Sequence, residues 1–159
     1  MTFRQGRFWQ PDVTVASVVL DGGRVLCVEE RVGGRLVLNQ PAGHLEPDES
    51  LLEAALRETL EETGWTVELT AFIGAYQWKS APRADEPEGR HFLRFAFAAL
   101  PLAHDPARVL DEGIERALWL TPDELLQRQA QHRSPLVWQA VADCLAGQRH
   151  PLSILRHLA

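Results

Sequence analysis

Two cysteines in 159 residues, Cys27 and Cys144, cannot form a disulfide framework. Cys27 sits in an apolar run and Cys144 among residues of helical period, so both are expected as buried free thiols rather than a disulfide or a metal pair. No apolar stretch approaches the ~20 residues that a membrane helix needs. The opening segment, MTFRQGRFWQPDV, lacks the apolar region of a signal peptide. From these two absences we expect a cytoplasmic protein with no membrane partner. A basic stripe is absent too. The formal net charge is −6, and Arg31, Arg35, Arg83, Arg90 and Arg94 are scattered. They could serve a small anionic ligand but make no nucleic-acid footprint. There is no internal repeat and no low-complexity tract.

What is present is an ordinary globular balance, 45% hydrophobic and 24% charged, on a chain the size of one domain, expected over residues 1–159. The β-branched run at 13–20 reads as a buried strand. Asp21-Gly22-Gly23 signals a hairpin that returns the chain antiparallel over 24–31. Gly33-Gly34 is a second turn before a short strand at 36–38. Residues 39–49 read as a loop. A helix is expected over about 50–63, capped by Asp48 or Ser50 and stopped by Gly64. Leu52, Ala55, Leu56, Thr59 and Thr63 would form its core face. Strands follow at 65–79, 91–100 and 115–120, with loops at 80–90 and 101–113. Thr121-Pro122 opens one helix, and another spans 134–146. Strands, helix, strands and helices in that order suggest a mixed sheet with helices packed on it.

The chemistry concentrates in the segment GHLEPDESLLEAALRETLEETGW, Gly43 to Trp65. Glu58, Glu61 and Glu62 stand at i, i+3 and i+4 and share one helix face, spanning about 6 Å along the axis. Like charges packed this way disfavour a bare helix, so a positive partner is required. Hard oxygen ligands at short spacing suit Mg²⁺ or Mn²⁺. Zinc would prefer His and Cys, which do not cluster here. Three such glutamates alone would more often be a solvated surface. The complete pattern alters that weighing.

The segment resembles the Nudix box, G-x5-E-x7-R-E-U-x-E-E-x-G-U, where U is a bulky apolar residue. Gly43, Glu49, Arg57, Glu58, Glu61, Glu62 and Gly64 fill all seven fixed positions. A chance match in a chain of this length is below about one in a million, which decides against a solvated acidic face. Thr59 replaces the usual aliphatic residue, and Trp65 takes the last apolar position. The resemblance implies an α/β (α+β) fold, an α/β/α sandwich with a mixed central sheet, and a hydrolase cleaving phosphoanhydride bonds. It implies Mg²⁺, with Mn²⁺ as the alternative, held by Glu58, Glu61, Glu62 and the carbonyl of Ala42. Glu58 is the first choice for the general base, and Glu49 and Arg57 form an orienting ion pair. Gly43 lets the backbone come close to the metal. An extra carboxylate is expected near 111–115, with Glu112 preferred, then Glu115.

Segments along the chain, among them PDVTVASVV, LNQPAGHLE, QWKSAP, FLRFAFA and RSPLV, are similar to the NudJ-type branch of that family. That likeness implies release of orthophosphate from nucleoside tri- and diphosphates and hydroxymethylpyrimidine pyrophosphate, and more weakly from thiamine pyrophosphate, by a monomer or at most a weak dimer. Trp78 could stack on a heterocycle or sit in the core. Lys79 could meet phosphate; so could Arg94, which interrupts an apolar strand and either faces the cleft or is a paired structural residue. Asn39 and Gln40 could read a ring edge, and His44 could contact phosphate. Two rival readings remain: a pyrophosphatase acting on a nucleoside diphosphate linked to another group, and a non-catalytic nucleotide-sensing module. The second is disfavoured because every box carboxylate is present.

Overall fold

The computed structural model describes residues 3–4 and 7–158. The opening segment on which the absence of a leader was read therefore lies partly outside the described residues. Two short strands, β1 (Phe3–Arg4) and β2 (Arg7–Phe8), pair antiparallel. The main sheet begins with β3 (Asp12–Asp21), whose β-branched run is buried on both faces. The turn at Gly22-Gly23, both at positive φ, leads into β4 (Arg24–Val32) and then β5 (Arg35–Asn39). After β6 (Ala42–His44) come helix α1 (Leu51–Thr63), the long strands β7 (Trp65–Lys79) and β8 (His91–His104), and β9 (Ile114–Leu120). Helices α2 (Pro122–Gln127) and α3 (Leu136–Leu145) follow.

The seven-stranded sheet runs β5-β4-β3-β8-β7, with β6 added to β3 and β9 to β4. Its strands are antiparallel except for β3 beside β8. Helix α1 covers one face, laying Ala54 and Ala55 on Val15, Phe72 and Phe97. Helix α3 covers the other, packing Val137, Ala140, Val141 and Cys144 on Val18, Ile73, Ala96 and Ala98. This is the mixed sandwich that the sequence suggests, with helices on both faces. Cys27 and Cys144 are buried free thiols, and burial pushes Cys27 up to about 12. Among the described residues no helix is long and apolar enough to cross a membrane.

Three expectations need correction. The hairpin between β3 and β4 is zipped only next to its turn, at Leu20–Val25 and Asp21–Arg24. Beyond that point β3 is bonded by β6 on one edge and β8 on the other, so β4 must diverge to pair with β5 and β9. The expected loop at 39–49 contains β6, which finds the open edge of β3. The loop expected from 101 starts later, because β8 continues to His104 against the start of β7, where Trp65 stacks on His104. None of these long-range partners leaves a local signature.

Helix α1 starts where its side chains say. Ser50 accepts from the Glu53 N–H at 3.2 Å, and Glu53 accepts from the Ser50 N–H at 2.8 Å, a reciprocal capping box. Gly64 ends it in the left-handed region at φ 72°. The expected core face is rotated: Leu56 is 39% exposed, whereas Ala54 and Glu62 are buried. The carboxylate face points toward the sheet edge and β6, and Leu56 is turned out as a result.

Candidate active site

The acidic face of α1 packs beside β6. An ideal Cβ on Gly43 would lie 2.1 Å from Glu58 Cδ, so only glycine lets this strand meet the carboxylate. One residue earlier, the Ala42 N–H donates to Glu62 Oε2 at 2.9 Å. The positive partner that the helix requires is Arg57. Its guanidinium grips Glu49 with Nη2 at 2.7 Å and Nε at 3.0 Å, a two-pronged pair. Its Nη1 donates to Glu58 Oε1 at 2.8 Å and Glu61 Oε2 at 3.0 Å. Nη2 also reaches the His44 carbonyl at 3.1 Å. One arginine thus ties the loop, β6 and both helix carboxylates into a single rigid unit. Glu53, committed to the cap, takes no part.

The carboxylate that joins this unit from outside the helix is Asp111. Oxygens of Glu58, Glu61 and Asp111 lie within 4.8 Å of one another. The Asp111 N–H donates to the Glu61 carbonyl at 3.1 Å, which anchors the loop over the C-terminal turn of α1. The preferred Glu112 lies outside this carboxylate group. It is exposed, and only its neighbour is tied to the helix by the main chain. Glu115, the second choice, is an exposed partner of Arg31 at 2.8 Å. Glu62 is set deeper than the other two helix glutamates and is held by the Ala42 amide. Thr59, the departure from an aliphatic residue, is fully buried and satisfied by the Ala55 carbonyl at 2.7 Å and Ser17 at 2.8 Å.

The charges follow this packing. Arg57 holds the Glu49 carboxyl below its ordinary range. Burial raises Glu58, with Arg57 opposing and Glu61 and Asp111 adding repulsion. Burial pushes Glu62 up to about 8, against the Ala42 hydrogen bond and with repulsion from Glu58, Glu30 and Asp111. In the metal-free fold Glu62 therefore keeps a proton that the unfolded chain releases near 4.5. The associated stability is fully present below that value and is lost as pH rises through about 8. In EDTA the melting temperature is expected to fall from pH 6 to pH 9, and Glu62→Gln should flatten that slope. An identical slope in the variant would place the titration elsewhere.

Beside β6, on the α3 side of the sheet, lies a cavity of about 270 Å³. Ala42, Gly43 and His44 form one wall, Trp78 and Phe92 another, and Asn39, Arg94, Arg133 and Ser134 also line it. Trp78 is half-buried and stacks on Phe92, with centroids 5.5 Å apart. His44 is exposed, with Nε2 3.9 Å from Asp12. Asn39 is buried and donates to Glu30 at 3.5 Å. Two expected contact residues are placed elsewhere. Gln40 has no exposed surface; its amide donates to the Val137 carbonyl of α3, making it a core residue. Lys79 is exposed and lines an adjoining, wider cleft with Trp9 and His91, because alternate residues of β7 face opposite sides. Arg94 faces the cavity and has no carboxylate partner within ion-pair distance among the described residues. Glu30 and Arg133, which sequence reasoning missed, pair at 2.6 Å. Two adjacent glutamates, Glu29 and Glu30, inside an apolar strand were the available signal.

A family model described as the NUDIX domain matches residues 10–139. The chain belongs to the Nudix family and is a hydrolase acting on phosphoanhydride bonds of small phosphorylated substrates. It is 42% identical over 147 residues to Phosphatase NudJ of Escherichia coli (strain K12), an alignment covering 92% of both chains. A solved NUDIX hydrolase from Nitrosomonas europaea matches with TM-score 0.87 at 45% identity, covering 94% of this chain and 98% of that one. A UDP-X diphosphatase structure shares the fold, at TM-score 0.69 and 16% identity, over 92% of this chain and 68% of that one.

Proposed function

We propose that this chain, as one Nudix domain, is a Mg²⁺-dependent phosphatase of the NudJ type. Its substrates would be nucleoside tri- and diphosphates and hydroxymethylpyrimidine pyrophosphate, with thiamine pyrophosphate hydrolysed more weakly. The observation that carries the reading is the convergence of Glu58, Glu61 and Asp111 within 4.8 Å. All their donors are hard oxygens, and the set carries three formal negative charges against one arginine. That composition fits Mg²⁺ or Mn²⁺ and not a soft metal. Glu62, which accepts from the Ala42 N–H, and the Ala42 carbonyl are assigned as its remaining protein ligands.

A bound divalent ion supplies charge neutralisation at phosphorus and an acidified water. The residues supply the rest. Arg57 fixes Glu58 and Glu61 so that neither has to reorganise during reaction. Glu58 accepts the proton as water oxygen bonds to phosphorus. The bridging P–O bond breaks and its electron pair leaves with the bridging oxygen on the organic phosphate. Glu49 acts through Arg57 as a positioning residue. Trp78 offers an aromatic face at the cavity mouth, and Asn39, His44 and Arg94 offer polar contacts. Every box carboxylate is present and ion-paired or hydrogen-bonded, an arrangement suited to turnover rather than to sensing alone.

Phosphorus NMR of the products in Mg²⁺ tests this directly. ADP and hydroxymethylpyrimidine pyrophosphate are expected to yield orthophosphate and one organic monophosphate. Cleavage confined to ADP-ribose-like substrates, giving two organic phosphates and no orthophosphate, would replace the reading with the diphosphate-linked one.

A further inference from the structure

Arg94 poses a problem that the fold does not solve by itself. Its side chain is 92% removed from solvent, with 8% residual exposure. Among the described residues its one side-chain hydrogen bond is from Nε to the Thr14 hydroxyl at 3.3 Å, and its Nη1 has no partner. Burial pushes this guanidinium down to about 10, with Arg133 adding repulsion and Glu62 and Glu30 opposing it from beyond ion-pair distance. A buried cation with no direct ion pair is costly, so such a group is retained where something else completes its compensation. Three features of the cavity point to an anion. Four arginines, Arg83, Arg90, Arg94 and Arg133, line it against two carboxylates, Asp85 and Glu86. Glu30 occupies Arg133 and Glu86 occupies Arg90, whereas no carboxylate occupies Arg94 or Arg83 among the described residues. Ser134 and Leu136, at the N-terminus of the ten-residue α3, also line it, and that helix has no side-chain cap.

We propose that this cavity is the seat of the substrate's terminal phosphoryl group, and of the orthophosphate product after cleavage, with Arg94 as its main cation. The inference rests on the phosphatase reading and adds an orientation to it. The terminal phosphoryl sits against Gly43, the cavity residue that abuts Glu58. The organic part points outward past the 80–90 loop toward the wide cleft at Trp9 and His91, which shares Asp85, Glu86 and Arg90 with the phosphoryl seat. Asn39 contributes as well. Its amide nitrogen reaches Glu30 at 3.5 Å, and its buried Oδ1 lacks a donor among the described residues. A monoprotonated phosphoryl group supplies one. Selectivity follows: a diphosphate esterified at both ends has no group small and charged enough for this seat.

The probe is inorganic phosphate alone, titrated by calorimetry into the full chain in EDTA, so that the carboxylate site contributes no metal. Wild type is expected to bind it, Arg94→Met to bind it at least about 10-fold more weakly, and Arg94→Lys to fall between them. Arg94→Met should melt a few degrees higher than wild type without phosphate, because an unpaired buried charge is removed. With ADP and Mg²⁺ its kcat/KM should fall about 100-fold. Glu61→Gln should lose turnover yet keep its metal-free phosphate affinity, so loss of the phosphatase reading and loss of the seat are separable. Equal phosphate affinity in wild type and Arg94→Met overturns the seat. So does displacement of phosphate by adenosine, which would make the cavity a ring pocket. If the Met variant does not fold, the Arg94 Nε–H resonance of wild type decides: no shift on phosphate addition overturns the proposal.

Discussion

With Glu61 changed to Gln, turnover is expected to fall by roughly 10³-fold while the protein stays folded. The substitution keeps the shape and an oxygen that can still accept from Arg57 Nη1, now at 3.0 Å from Oε2. It removes one of three formal charges from the Glu58–Glu61–Asp111 group. Losing a charged ligand to a catalytic cation is worth several kcal/mol of transition-state stabilisation, and each 1.4 kcal/mol is about tenfold. Because Glu61 is only partly buried, the melting temperature in EDTA should move by no more than about 2 °C. Steady-state kinetics across a Mg²⁺ titration, with a melt of the same sample, reads both quantities. Unchanged turnover at saturating Mg²⁺ would remove Glu61 from the site and the metal assignment with it.

The second large effect is expected from one methyl group. Gly43→Ala places a Cβ 2.1 Å from Glu58 Cδ and 2.2 Å from each of its carboxylate oxygens. Gly43 does not lie in the left-handed region, so the cost is steric and falls on Glu58 rather than on the strand's own backbone. Glu58 cannot retreat freely, because Arg57 holds it at 2.8 Å and burial confines it. Displacing a reacting group by about 1 Å can cost 10²-fold, and a loss of about that size in kcat/KM is expected. Secondary structure by circular dichroism should be unchanged. Full activity in this variant would show that the carboxylate can move aside without penalty, and that Glu58 is not the positioned base.

The local features of this protein were legible before folding. The capping box at Ser50 and Glu53, the stop at Gly64 and the placing of Glu58, Glu61 and Arg57 on neighbouring turns all follow from helical geometry within fifteen residues. The pairing of Arg57 with Glu49 was implied by the resemblance to the Nudix box and not by spacing. Strand positions were readable from β-branched runs, and their partners were not. Gln40 shows the limit: its residue type suggested a ring contact, and only the arrival of α3, whose Val137 carbonyl accepts from it, made it a core residue.

The amino-acid sequence by itself determined that a thirteen-residue helix would carry a carboxylate face with one compensating arginine, because those contacts lie within a few turns of a single element. The tertiary structure alone decided that Asp111 rather than Glu112 completes the group, that Glu30 captures Arg133, and that Arg94 has no direct ion pair among the described residues. Those outcomes depend on which strands and loops meet across 50 to 100 residues of chain. Long-range meetings are fixed by packing of the whole sheet between its two helical layers, and no local pattern encodes them.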